Sequence, residues 1–171
     1  MKANIFAVAA LALVFIVGCT SRQSEEFTQQ RRDQIRSEVK AVGDSLIARW
    51  ARLDADGAMQ YYAPEVAVYV DSVRLDFQTL KRVWKGKNDS TATMRVSPYR
   101  TDYLVLTKDV VILNWVGKEE ESLKSGDSVT TDPIALTVVF RNIAGQWKAF
   151  YQRVSGVEVT QKAAGAHRPR R

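Results

Sequence analysis

Between residues 91 and 155 the chain is a succession of β-branched and aromatic runs, broken only at short turn signals: Lys108-Asp109, Ser125-Gly126-Asp127 and Asn142-Ile143-Ala144-Gly145. The runs cover residues 91–96, 99–107, 110–120, 129–142 and 146–155, with the composition of strands. Strands joined by turns this short pair antiparallel, because a parallel crossover needs a dozen or more residues. Such a meander has one apolar face to cover, and the segment before it supplies the cover.

In that segment Ile35, Val39, Val42, Leu46, Trp50 and Leu53 recur at steps of 4, 3, 4, 4 and 3. This is one apolar stripe on a helix of about 25 residues that starts near Glu25-Glu26, acidic residues suited to a first turn. Asp54-Ala55-Asp56-Gly57 interrupts it. Either Asp54 or Asp56 can cap a short second helix over 58–62, which Pro64 stops. Residues 66–70 read as a strand ending at Asp71-Ser72. Asp76 caps a third helix with Phe77, Leu80, Val83 and Trp84 on its apolar face, and Gly86 stands where a left-handed C-cap is wanted. The order is three helices, one of the strands among them, then the meander. It defines an α+β fold in which helices cover one face of a curved antiparallel sheet.

With 171 residues the chain is one domain plus short appendages, large enough for a core without staples. Its one Cys excludes an internal disulfide, and its one His, His167, excludes a clustered His/Cys zinc site and a Ser-His-Asp triad within the chain. No cofactor is expected: the phosphate-cradling and nucleophile-elbow glycine patterns are absent from the sequence. The net charge of +6 is concentrated at the ends. Without Lys2, Lys162, Arg168, Arg170 and Arg171, 20 basic residues face 19 acidic ones, so the body is nearly neutral and no nucleic-acid partner is expected. Residues 159–171 read as a flexible basic tail. Glu119-Glu120-Glu121 beside Lys124 reads as a solvated hairpin end, since consecutive strand residues alternate in direction.

The chain opens with a lysine followed by an unbroken apolar run over residues 5–17, too short to span a bilayer as a helix. The run closes on Ile16-Val17-Gly18-Cys19, which resembles a bacterial lipoprotein signal. The resemblance implies a signal peptide over 1–18, acylation of Cys19, a tether over 19–24 and a lipid anchor in the cell envelope. With Thr20 rather than Asp after the Cys, it implies the periplasmic face of the outer membrane in a Gram-negative cell.

Trp50 to Met59 with Tyr61-Tyr62-Ala63-Pro64, and Phe140-Arg141-Asn142 with Gly145-Gln146-Trp147-Lys148 and Val154-Ser155, give the body from about Asp33 to Ser155 a pattern that resembles the nuclear transport factor 2-like superfamily and its SnoaL-like branch. The resemblance implies a domain of this kind over residues 25–158. It implies a cone with a pocket between the long helix and the concave sheet, and a homodimer. Relative to ketosteroid isomerases of this fold, Asp71 falls within about one position of the general base, whereas Trp50 and Thr137 occupy the places of the two oxyanion donors. Asp71 is thus the catalytic candidate, with a Tyr as the other group that could transfer a proton, and steroid-isomerase chemistry lacks its donors. Alternation along the last strand puts Trp147, Ala149, Tyr151, Arg153 and Ser155 on one face, which the resemblance makes the pocket face. The candidate lining is Trp50, Tyr62, Tyr69, Trp84, Tyr103, Trp115, Thr137, Tyr151 and Arg153, with Tyr99 a further aromatic. Arg153 stands where many relatives carry a His, a fixed cation in place of a proton shuttle, and favours anion binding over acid–base work.

These features lead to an expectation of a lipid-anchored, non-catalytic module that binds a small apolar or anionic ligand. The alternatives are an envelope interaction or dimerisation scaffold, and an isomerase, cyclase or dehydratase of SnoaL-like type.

Overall fold

A computed structural model describes residues 27–161. Helix α1 (Gln29–Ala51) starts at Thr28, whose side chain accepts from the Arg31 N–H at 3.2 Å. Glu25 and Glu26, expected to open this helix, lie outside the described residues. The predicted stripe is the buried face: Ile35, Val39, Leu46 and Trp50 are buried and Val42 packs beside them. Leu53 leaves the stripe because α1 stops two residues earlier and Leu53 takes φ +57°. Helix α2 (Ala55–Met59) is capped by Asp54, which accepts from the Gly57 N–H at 2.9 Å.

Strand β1 (Tyr62–Val70) turns at Asp71-Ser72 into β2 (Val73–Leu75), a short strand the sequence did not announce. Helix α3 (Phe77–Ser90) begins at the expected cap, Asp76, which accepts from the Thr79 N–H at 2.7 Å. It runs through Gly86 instead of ending there, and the Ser90 hydroxyl donates back to the Gly86 carbonyl. The chain then passes directly into β3 (Thr91–Thr107), β4 (Val110–Leu123), β5 (Ser128–Ile143) and β6 (Gln146–Gln161). The predicted pair 91–96 and 99–107 is one strand with an extra residue, Tyr99, between Pro98 and Arg100. Pro98 is tolerated because β3 is an edge strand. β6 continues past residue 158, where the domain was expected to end.

The six strands form a curved sheet in the order β2-β1-β6-β5-β4-β3. The meander β3 to β6 is antiparallel, as its turns require, but β1 lies parallel to β6. No hairpin links those two strands; most of the domain lies between them in sequence, so the short-turn argument does not reach this pair. α1 and α3 lie on the inner face, where Leu80 and Trp84 join Val66, Val68, Leu113, Leu136, Val138 and Phe140 in one core. Among the described residues no helix is long and apolar enough to cross a membrane.

Candidate functional site

The inner layer gathers several of the candidate aromatics. Trp50 from α1 and Trp84 from α3 meet edge to face with ring centres 5.5 Å apart. Trp115 from β4 is buried in the same core. Tyr62, at the start of β1, donates to Oε1 of Gln152 on β6 at 2.6 Å, with both side chains buried. Burial drives the Tyr62 phenol far above its ordinary pKa, against the smaller opposing effect of Gln152. Tyr103 reaches beneath α1 at Gly43, where its hydroxyl finds no hydrogen-bond partner. Burial pushes its pKa up to about 12, with Asp44 adding to the shift.

These rings lie between the helices and the inner face of the sheet, where a ligand chamber was expected. The main hollows among the described residues all open on the surface. One of them touches a predicted lining residue: a groove of about 300 Å³ between α1 and the sheet, bounded by Ile47, Ala51, Val96, Pro98 and Trp115.

The rest of the predicted lining lies on the opposite face. Val139 pairs with Tyr151 while its neighbour Phe140 pairs with Ala149, so Phe150 is an extra residue in β6. A one-residue bulge reverses every later side chain. Trp147 and Ala149 point inward as expected, but beyond Phe150 the inward residues are Gln152 and Val154, and Tyr151 and Arg153 face outward. Arg153 is exposed, level with Thr137 on β5 and Tyr69 on β1. Tyr69 and Tyr151 touch on this outer face, ring centres 5.7 Å apart. Tyr69, Thr137, Tyr151 and Arg153 therefore do not line the interior. Asp71 is exposed at the β1–β2 turn with φ +52°, a conformation Asp tolerates, and its N–H donates to the Val154 carbonyl at 3.0 Å. Tyr99 is exposed, its hydroxyl on Asp132. Cys19 lies outside the described residues.

The acidic run on β4 is not a solvated hairpin end. Glu119 is 3% exposed and shares the inner face with Leu113 and Trp115, while Glu120 points outward to Lys118. Lys87 of α3 lies 2.6 Å from Glu119 and 3.0 Å from Glu121, and the Thr91 hydroxyl donates to Glu121 at 3.0 Å. The second Glu119 oxygen has no partner. Burial holds the Glu119 carboxyl above its usual range, only partly opposed by Lys87. Burial also raises Glu121, but there Lys87, Glu119 and Thr91 outweigh it and the carboxyl is held low. Burial pulls Lys87 down, and the two carboxylates more than offset this. The sequence carried a signal for this group: Leu113, Trp115, Gly117, Glu119 and Glu121 are spaced two apart on one strand face. Among the described residues no group of His, Cys, Asp and Glu is arranged to hold a metal ion.

Across the outer face the register aligns Leu104, Ile112, Val139, Tyr151 and Ala67, an apolar row over five strands. The neighbouring row runs Asp102, Asn114, Thr137, Arg153 and Tyr69, and the Thr137 hydroxyl donates to Asn114 at 3.0 Å.

No protein-family model and no curated protein matches this sequence. Solved structures do match in shape. An NTF2-like protein of unknown function from Pseudomonas putida KT2440 is 15% identical, with a TM-score of 0.61 over 72% of this chain and 87% of that one. A ketosteroid isomerase-like protein from Erwinia carotovora atroseptica is 11% identical, with a TM-score of 0.63 over 73% and 98%. The hexachlorocyclohexane dehydrochlorinase LinA-type3 from Novosphingobium barchaimii is 10% identical, with a TM-score of 0.66 over 82% and 97%. The chain has the nuclear transport factor 2-like fold. At these identities the likeness extends to the fold alone.

Proposed function

We propose that this chain is a lipid-anchored envelope protein, held by acylated Cys19, whose nuclear transport factor 2-like domain is an interaction module working through the outer face of its sheet. The observation that carries this reading is the apolar row Leu104, Ile112, Val139, Tyr151 and Ala67 on the outer face, in a domain whose inner layer carries the buried aromatics Trp50, Tyr62, Trp84, Trp115 and Phe140. Leu104 at its edge is 54% exposed and the other four are half-buried, so the row offers a band of accessible apolar surface across the sheet that a protein contact would cover. The partner is a second copy of the chain. In the adjacent row Asp102 and Arg153 stand at the two ends of a four-strand span. A two-fold axis along the strands, between β4 and β5, places each Asp102 over the partner copy's Arg153, so the face complements itself.

Sedimentation equilibrium of the chain from residue 20 onward tests the module, with a dimer expected for the wild type and a monomer for Val139→Glu. A wild type that stays monomeric at high concentration overturns the self-association. Labelling growing cells with an alkyne-bearing fatty acid tests the anchor, with incorporation expected in the wild type and none in Cys19→Ser.

A second reading, chemistry inside the fold, is favoured by one observation: a buried glutamate, Glu119, with an unpartnered oxygen beside an ammonium. That the LinA-type3 neighbour is a dehydrochlorinase is in keeping with it. None of the main hollows is lined by Lys87 or Glu119, and this ranks it second. Native mass spectrometry of the chain purified from its host decides it: a bound small molecule lost in Glu119→Gln establishes the reading.

A further inference from the structure

At the end of the domain where α1 begins, exposed apolar and basic side chains stand together. A hollow of about 860 Å³ lies there, lined by Phe27, Thr28 and Arg31 of the helix start, Leu106 to Asp109 of the β3–β4 turn, and Asn142. Leu106 is 47% exposed, and Ile143, the last residue of β5, is 37% exposed. The end is internally braced. The Asn142 N–H donates to the Asp109 carbonyl at 2.9 Å, and Arg32 stacks on Phe27 while donating to the Val105 carbonyl at 3.2 Å.

Its two rim cations are loosely held. Arg31 sits 3.7 Å from Glu38 and Lys108 sits 3.6 Å from Asp109, whereas the other ion pairs close to 3.0 Å or less. Both side chains are largely exposed, so exchanging these carboxylates for another anion costs little. Seven residues lie between Cys19 and Phe27, so the eight steps from one to the other span at most about 28 Å even when fully extended. β3 alone, 17 residues long, is about 56 Å. Tethered at Cys19, the domain keeps this end within half its own length of the anchor point.

We propose that this end is a membrane-docking face: Arg31 and Lys108 take the phosphates of anionic lipids, while the exposed Leu106 and Ile143 enter the headgroup layer and Phe27, packed on the core under Arg32, backs them. The inference rests on the acylation of Cys19 proposed above, and it fixes the domain's posture. The β1–β2 turn and the far ends of β3 to β6 point away from the lipid, and the outer sheet face stands upright on the membrane, accessible to a partner sliding in the same plane. Basic and apolar residues side by side are the combination that binds an anionic interface.

The test uses the acylated full-length chain in vesicles, carrying an environment-sensitive dye on Gln146→Cys near the docking end or on Val157→Cys at the far end. Both sites are exposed, and Cys19 is consumed by its lipid. In vesicles of phosphatidylcholine and phosphatidylglycerol at 3:1, we expect the Gln146 dye to shift blue and to be quenched by headgroup nitroxides. Neither change is expected in phosphatidylcholine alone, and the Val157 dye should respond in neither. Arg31→Glu with Lys108→Glu, or about 0.5 M salt on the unsubstituted rim, should remove the response. Flotation with both vesicle types and no dye response overturns the docking face and leaves the anchor standing, as does a response that survives the charge reversals and salt. Failure to float with either vesicle overturns the anchor and the docking face together.

Discussion

The Tyr62 hydroxyl and the Gln152 carboxamide oxygen are 2.6 Å apart in the buried layer, although 90 residues separate them in the chain. This bond ties β1 to β6, the one parallel pair in the sheet. It exists because the extra residue Phe150 turns Gln152 inward. Tyr62→Phe leaves a buried acceptor unpaired and is expected to cost about 1–3 kcal/mol, and Gln152→Leu similarly strands the phenol. The double variant replaces both partners with apolar groups, so its loss in urea denaturation should be smaller than the sum of the two. Strict additivity would mean that the bond contributes nothing.

Phe150 also marks the limit of what was legible in the sequence. The apolar stripe as far as Trp50, the cap at Asp76, a cap at one of Asp54 and Asp56, and the three hairpin turns rest on local chemistry and are present, whereas Leu53 falls outside the helix. Period two along β6 was legible only as far as Ala149. A bulge inserts a residue without altering composition, so counting onward put Tyr151 and Arg153 on the wrong face. On β4 the error ran the other way. Alternation from Leu113 and Trp115 places Glu119 inside, and its charge argued against what its spacing said. The partner that makes burial tolerable, Lys87, sits on α3 and is invisible from β4's own sequence.

The buried charge group has a pH signature whose sign follows from its two carboxyls. Glu119, held high by burial, stabilises the fold fully below its unfolded pKa, and that contribution is lost as pH rises through its folded value. Glu121, held low, acts in reverse: its contribution is present above the unfolded pKa and is lost as pH falls through the folded value. Glu119→Gln removes the first dependence, so its stability relative to wild type should improve steadily as pH rises from about 4 toward neutrality. Lys87→Met leaves two buried carboxylates without a cation, at a cost of about 3 kcal/mol near neutral pH, partly relieved by acid. Thermal or urea unfolding across pH 4–8 reads both; a Lys87→Met loss independent of pH would show that the cluster is packing alone.

At Gly43 a Cβ would stand 2.5 Å from the Tyr103 hydroxyl oxygen, and the next nearest atoms are 3.4 Å away. Gly43→Ala should therefore destabilise the wild type by about 1–3 kcal/mol despite the better helix propensity of alanine. Tyr103→Phe removes a hydroxyl that has no partner and should be neutral or slightly stabilising. With Tyr103→Phe in place the obstruction is gone, and Gly43→Ala should cost little or stabilise. This coupling is measured by a double-mutant cycle in denaturant.

The charge pattern of the outer face separates a self-complementary interface from apolar contact alone. With the two-fold axis along the strands, each dimer holds two Asp102–Arg153 contacts, so one substitution disturbs both. Arg153→Asp sets one carboxylate against another at each of the two contacts, partly offset by Arg100 beside Asp102, and should weaken the dimer by about tenfold, and Asp102→Arg should do the same with cations. Combining them exchanges the ends of the row and restores opposite charges across the axis, so the double variant should recover most of the wild-type dissociation constant. An axis running across the strands would instead face Arg153 with its own copy. In that arrangement Arg153→Asp merely replaces one like-charged contact with another, and the double variant gains nothing over either single. Sedimentation equilibrium on the four proteins at low salt, where exposed charges are least screened, distinguishes the two geometries, and recovery in the double variant is the result that the first axis requires.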